Sequence, residues 1–267
     1  MHRDTCFGKA LTCAALAALS ITILAVAPAD ARRKAQPDAA SQSALVPLDS
    51  IDASIVLDMR YATARNFTGA PVPGYEAPAC WLRPEVAKAL SRVQADLAAA
   101  DPPLSLKVFD CYRPERSVRS FMRWAASKED GASRHYYPQI ARSSLIPSGY
   151  IARASTHSRG IAVDLTIARR AGGGDAKSKG GTSGGQETRP CTEAAPSGGE
   201  LDMGTSFDCF DVRSHTSAGG ISAEQRQARD TLRRAMARRG FENYPREWWH
   251  FTYPAADDGR SFDIPVR

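Results

Sequence analysis

The chain has 267 residues, 43% of them hydrophobic, 24% charged and 8% aromatic. That globular composition excludes a fibrous repeat and a wholly disordered chain. Thirty-five Lys and Arg against 29 Asp and Glu give a formal charge of +6, which is no nucleic-acid signature and at most favours an anionic setting such as a cell envelope.

The first 31 residues read as a secretory signal. Arg3 and Lys9 precede an apolar run from Ala10 to Ala27, and Ala29-Asp30-Ala31 supplies the small residues that a signal peptidase reads. The run is about 18 residues long, just enough to span a bilayer, but the cleavage pattern follows at once and no later segment is comparably apolar. Cleavage after Ala31 predicts a mature chain of 236 residues (267 less 31), periplasmic or secreted, with no stable membrane insertion. Cys6 and Cys13 leave with the signal, and Cys80, Cys111, Cys191 and Cys209 remain. An even number in an oxidising compartment favours two disulfides. Of the three possible pairings, Cys80–Cys111 with Cys191–Cys209 is the expectation, although spacing alone does not establish it.

Residues 32–46 are polar and alanine-rich, a flexible lead-in to one domain over 47–267. Arg83-Pro84 opens a helix with Val86, Leu90, Val93 and Leu97 on one stripe, ending at Pro102-Pro103. Leu104 to Asp110 alternates as a strand. A second helix starts at Pro114, facing Val118, Phe121, Met122 and Ala125 inward, and Ile161 to Thr166 is a short strand. Residues 170–200 hold nine of the 20 glycines and almost no large apolar side chains, so they read as a surface insertion. Ser222 and Gln225 make a capping box for a helix that runs to about Arg239 and stops at Gly240. Trp248 to Tyr253 is short and aromatic, as suits a buried strand. Mixed elements without regular β-α alternation point to an α+β fold.

Three stretches carry chemistry: Asp110-Cys-Tyr-Arg113-Pro-Glu115, Ser155-Thr-His157-Ser-Arg-Gly160-Ile-Ala-Val-Asp164, and Glu247-Trp-Trp-His250. Asp164 lies among Ile161, Ala162, Val163 and Leu165, where an unpaired carboxylate is costly. A metal ion is one solution, and a salt bridge or turn amide is another. His250, among Trp248, Trp249 and Phe251, reads alone as a core histidine. Two histidines and an aspartate together leave a fourth tetrahedral position open on zinc, and Glu247 could act as base on a water activated there. The residues by themselves reach metal-assisted hydrolysis and go no further.

The S-x-H-x-x-G-x-A-x-D and E-W-W-H motifs together resemble the zinc D-alanyl-D-alanine dipeptidases of vancomycin-resistance type, within the wider group of hedgehog-like D,D-peptidases. The likeness extends through Arg60-Tyr-Ala-Thr-Ala-Arg-Asn-Phe-Thr-Gly69, Cys80-Trp-Leu-Arg-Pro84, Asp110-Cys-Tyr-Arg-Pro114, Met203-Gly-Thr-Ser-Phe-Asp208 and Phe262-Asp-Ile-Pro265, nearly all of 50–267. It implies a small antiparallel central sheet flanked by helices, and one zinc ion bound by His157, Asp164 and His250. It further implies Glu247 as the proton carrier, Arg113 facing the scissile carbonyl, and Asp208 receiving the free ammonium of a D-Ala-D-Ala substrate. Ser155, Tyr61 and Asp110 would line or support that pocket. A carboxypeptidase acting on longer wall peptides and a non-catalytic zinc module are the alternatives. The 170–200 insertion and the cysteines depart from the pattern without touching a proposed ligand.

Overall fold

A computed structural model of the chain describes residues 44–100, 104–169, 191–192 and 199–267. The expected signal, all of the lead-in before Ala44, Pro102-Pro103 and most of the insertion lie outside these residues. The strands are β1 (Val46–Pro47), β2 (Val56–Leu57), β3 (Trp81–Leu82), β4 (Leu104–Asp110), β5 (Ala162–Arg169), β6 (Glu242–Asn243) and β7 (His250–Thr252). The α-helices are α1 (Pro84–Ala100), α2 (Glu115–Ala126) and α3 (Ala223–Ala237). The fold is mixed α+β, and no helix among the described residues is long and apolar enough to cross a membrane.

β4 and β5 are buried almost from end to end, so the polar residues that alternate with their apolar ones, Ser105 and Lys107 on β4 and Asp164 and Thr166 on β5, are buried too. They form the middle of a five-stranded sheet ordered β2-β4-β5-β7-β6. All its pairings are antiparallel except β2 with β4, a parallel edge that the expected antiparallel sheet did not include. β1 and β3 make a separate two-stranded ladder. Leu45 is buried in the core and Val46 starts β1, so the folded part takes in the last residues assigned to the lead-in. Their apolar side chains belong with the core, not with the polar run before them.

The helices form where proline or a cap starts them. Pro84 is the first residue of α1, and Val86, Leu90, Val93 and Leu97 are all buried. Pro114 is the N-cap of α2, which buries Val118, Phe121 and Ala125 while Met122 is only half-buried. Both bonds of the capping box at Ser222 and Gln225 are present at the start of α3. α1 and α3 pack on each other, α1 against β4 and α3 against β5.

Cys80 is bonded to Cys111 and Cys191 to Cys209. Although Cys191 belongs to the glycine-rich stretch, it is buried. The far end of that stretch is also anchored: Arg169 N–H donates to the Gly199 carbonyl at 2.8 Å, and Lys107 pairs with Glu200 at 2.6 Å.

One register detail matters for chemistry. Between Val108 and Asp110 the β4–β5 pairing shifts, so that Val108 faces Leu165 but Asp110 faces Asp164. Asp164 in turn faces His250 on β7. Directly opposed residues put their side chains on the same face, so this bulge sets Asp110, Asp164 and His250 in one row across the sheet.

Candidate active site

His157 joins that row from a turn, Thr156–Arg159, that runs into β5. Ser155 caps the turn, its Oγ accepting from His157 N–H at 3.3 Å. Gly160 ends it at φ +69°, where an added Cβ would lie 2.4 Å from Leu45 Cδ2. Only glycine suits both that backbone and that space. His157 is buried, and its Nδ1 lies 2.6 Å from the Cys111 carbonyl. A carbonyl can only accept, so Nδ1 carries the proton and Nε2 presents its lone pair. The Cys80–Cys111 bridge holds the strand end that supplies this carbonyl.

The three inward atoms crowd together. His157 Nε2 is 3.1 Å from His250 Nδ1 and 3.2 Å from Asp164 Oδ1, and His250 Nδ1 is 3.0 Å from the same oxygen. His250 Nε2 lies 3.3 Å from Thr252 Oγ1, to which it can donate. With both imidazoles so oriented, two nitrogen lone pairs and a carboxylate oxygen converge on one point, an arrangement that a cation satisfies. His157, Asp164 and His250 thus form a group able to hold a metal ion. Burial works to raise the Asp164 carboxyl, but the two histidines prevail and hold it far below the usual carboxylate range.

Glu247 lies in the turn before β7, its Oε2 3.9 Å from His250 Nδ1. Asn243 ties that turn, its side-chain N–H groups donating to the Glu247 and His250 carbonyls at 3.0 and 2.9 Å. Burial, followed by the nearby charge of Asp164, pushes the Glu247 carboxyl up to about 8, against the pull of Arg113 and His157. Arg113 donates from Nε and Nη2 to Asp110 Oδ2 at 3.0 and 2.8 Å, and its guanidinium lies over the rings of Tyr61 and Phe121. Tyr75 O–H donates to the other Asp110 oxygen at 2.6 Å. Asp208 is buried and accepts from Tyr61 O–H at 3.0 Å. Burial and then Asp164 hold its carboxyl well above the usual range, with Arg113 and Tyr61 opposing.

A cavity of about 520 Å³ joins these groups. His157, Asp164, His250, Glu247, Arg113, Asp208, Tyr61 and Ser155 all line it. Asp110 does not; it sits beneath Arg113 as a support.

The D-ala-D-ala dipeptidase model of the M15 peptidases matches residues 41–183 and 177–265. The chain belongs to this family. The D-alanyl-D-alanine dipeptidase of Enterococcus faecium is 39% identical over 222 residues, covering 82% of this chain and 96% of that protein. The D-alanyl-D-alanine dipeptidase of Streptomyces coelicolor is 34% identical over 221 residues, with the same two coverages, and that of Escherichia coli is 27% identical over 212 residues, 79% of this chain and 86% of the relative. As a member of a peptidase family this chain is a hydrolase, and the converging imidazoles and carboxylate suit the metallopeptidase chemistry of that family.

Within this peptidase fold, sequence reading missed the residues that steady the site from a distance. Tyr75 and Asn243 belong to no local motif: Tyr75 reaches Asp110 across 35 residues of chain, and Asn243 reads only as part of a polar turn.

Proposed function

We propose that the chain is an exported zinc dipeptidase that hydrolyses D-alanyl-D-alanine, and close D,D-dipeptides, in peptidoglycan turnover or remodelling. The observation that carries this reading is the meeting of His157, Asp164, His250, Glu247 and Asp208 in one cavity. The names of the relatives support the substrate. The two disulfides, together with the signal-like residues 1–31, support export.

Charge supports a cationic occupant and a cationic substrate group. Four buried or nearly buried carboxylates, Asp110, Asp164, Asp208 and Glu247, face a single guanidinium on Arg113. A dication among the histidines and an ammonium at Asp208 relieve that excess, and would let Glu247 and Asp208 ionise. Zinc suits the donor set: tetrahedral bonds of about 2.0–2.1 Å put neighbouring ligand atoms about 3.3 Å apart, close to the 3.0–3.2 Å separations of the three donors.

Zinc held by His157, Asp164 and His250 would supply Lewis acidity, polarising the scissile carbonyl and acidifying the attacking water. Glu247 accepts a proton from that water and returns it to the leaving amine, so each turnover consumes one water and releases two amino acids. Arg113, fixed by Asp110, offers N–H groups to the oxyanion that develops on the carbonyl. Asp208, with Tyr61, receives the substrate ammonium, and a buried acceptor of this kind excludes chains extended at the amino end. Ser155 steadies His157 through its backbone and borders the cavity.

The competing activity, removal of a terminal D-alanine from longer wall peptides, separates cleanly. Incubation with D-Ala-D-Ala and with a wall pentapeptide ending in D-Ala-D-Ala, counting released amines, should show rapid cleavage of the dipeptide alone. Cleavage of the pentapeptide with the dipeptide left intact would overturn the dipeptidase assignment.

A further inference from the structure

Asp208 occupies a backbone conformation that its neighbours must enforce. At φ +59° it is the one non-glycine residue with positive φ among the described residues. Such conformations cost energy and persist where the surroundings over-determine them. The loop that carries it, residues 203–215, has its two ends held by a single side chain. Arg229 lies on α3 and is 2% exposed. Its Nε donates to the Met203 carbonyl at 2.7 Å, its Nη1 to the His215 carbonyl at 2.6 Å and its Nη2 to the Arg213 carbonyl at 2.8 Å. All three guanidinium nitrogens therefore engage the backbone of one loop, one at its start and two at its end.

The chemistry of the guanidinium makes this a clamp. Its donors lie in a rigid plane, so bonds from all three nitrogens fix both the spacing and the relative angle of the loop ends. The partners are backbone carbonyls, so the charge is buried for geometry and not to pair with an acid. Desolvating a guanidinium for this purpose is costly, and the loop so held is the one that carries Asp208. Trp248, the neighbour of Glu247, grips the same loop: its Nε1–H donates to Thr205 Oγ1 at 2.8 Å and its backbone N–H to the Ser214 carbonyl at 3.0 Å. The loop is thus registered against α3 on one side and against the Glu247 turn on the other.

We propose that Arg229 is a positioning residue for Asp208: by clamping both ends of the 203–215 loop it fixes the depth at which the Asp208 carboxylate meets the substrate ammonium, and so sets the preference for a free amino end. This rests on the reading of Asp208 as the ammonium receptor given above. Lysine in place of Arg229 keeps the charge but cannot hold three carbonyls in one plane, and methionine keeps the bulk alone.

The test uses the full chain with its metal content measured. kcat and KM are determined for D-Ala-D-Ala and for N-acetyl-D-Ala-D-Ala, whose amine is blocked, in the parent protein, Arg229→Met, Arg229→Lys and Asp208→Asn. Arg229→Met is expected to raise KM for D-Ala-D-Ala and to reduce the preference for the free amine by about tenfold, in the range of losing a hydrogen bond to a charged group, with unchanged metal content. Arg229→Lys is expected to shift both in the same direction, and it decides the matter if the methionine variant does not fold. Full amine preference in the folded Arg229 variants, whatever their melting temperatures, would overturn the proposal and leave Arg229 as a stabilising residue. If those variants keep the preference while Asp208→Asn loses it, only the clamp fails; if Asp208→Asn keeps it too, the ammonium reading fails and the clamp with it.

Discussion

Glu247→Ala should leave the protein folded and metal-loaded, and lower kcat for D-Ala-D-Ala by about 10²–10⁴, the usual contribution of a positioned general acid–base. The reason lies in geometry. The Glu247 carboxylate is 3.9 Å from His250 Nδ1, close enough to serve a water at the triad but outside the cluster of three donor atoms. Its backbone, not its side chain, is what Asn243 uses to hold the turn before β7. On the proposed mechanism, truncating the side chain therefore removes the proton carrier and leaves the three donor atoms and the turn in place. Steady-state kinetics beside metal analysis of the same preparation reads both halves of this expectation. Activity equal to the parent's in the alanine variant would move the base elsewhere.

His157→Ala should have a different signature, with metal content and hydrolysis both falling to background. His157 is buried, and its two ring nitrogens have separate tasks: Nδ1 bonds the Cys111 carbonyl and Nε2 faces Asp164 and His250. Alanine leaves Asp164 with one imidazole in place of two, beside Asp110 and Asp208. The variant also leaves the Cys111 carbonyl without its buried partner, which costs about 1–3 kcal/mol. Circular dichroism at 25 °C therefore belongs with the metal measurement, to show that a folded protein has lost its ion. A folded His157→Ala chain that keeps one equivalent of metal would remove His157 from the ligand set.

Much of this architecture is legible in the sequence because its signals are local. Pro84, Pro114 and the Ser222–Gln225 box mark where α1, α2 and α3 begin, and each acts through its own backbone within one turn. β4 appears in full from its alternation. β5 runs from Ala162 to Arg169, three residues beyond the short strand expected over Ile161 to Thr166, because its partner β4 is long enough to pair with it down to Leu104. The aromatic run at Trp248–Tyr253 yields only a three-residue strand, His250–Thr252, since Trp248 and Trp249 are spent on the turn that the His250 N–H closes onto the Glu247 carbonyl at 3.3 Å. The parallel pairing of β2 with β4 leaves no trace in a two-residue strand.

The site divides in the same way. Short motifs bring the sequence to His157, Asp164, Glu247 and His250, and the fold supplies what motifs lack: the β4–β5 bulge that aligns Asp110 with Asp164, the Tyr75 hydroxyl beneath Arg113's partner, and the Arg229 clamp. Arg229 is one of several arginines on α3; Leu232 and Met236 at i+3 and i+7 place it on the border of the apolar face, but spacing does not show that it, and not Arg226, Arg233 or Arg234, holds a loop. Only its burial and its three carbonyl partners do so.

The most direct measurement is made on the purified full chain: metal content by mass spectrometry, with D-Ala-D-Ala cleavage followed before chelation, after it, and after zinc is restored. One equivalent of zinc per chain, activity lost with the metal and recovered with it, is the predicted result. A protein that cleaves D-Ala-D-Ala at an undiminished rate with its metal removed, or that holds zinc firmly and leaves the dipeptide intact, would contradict the account.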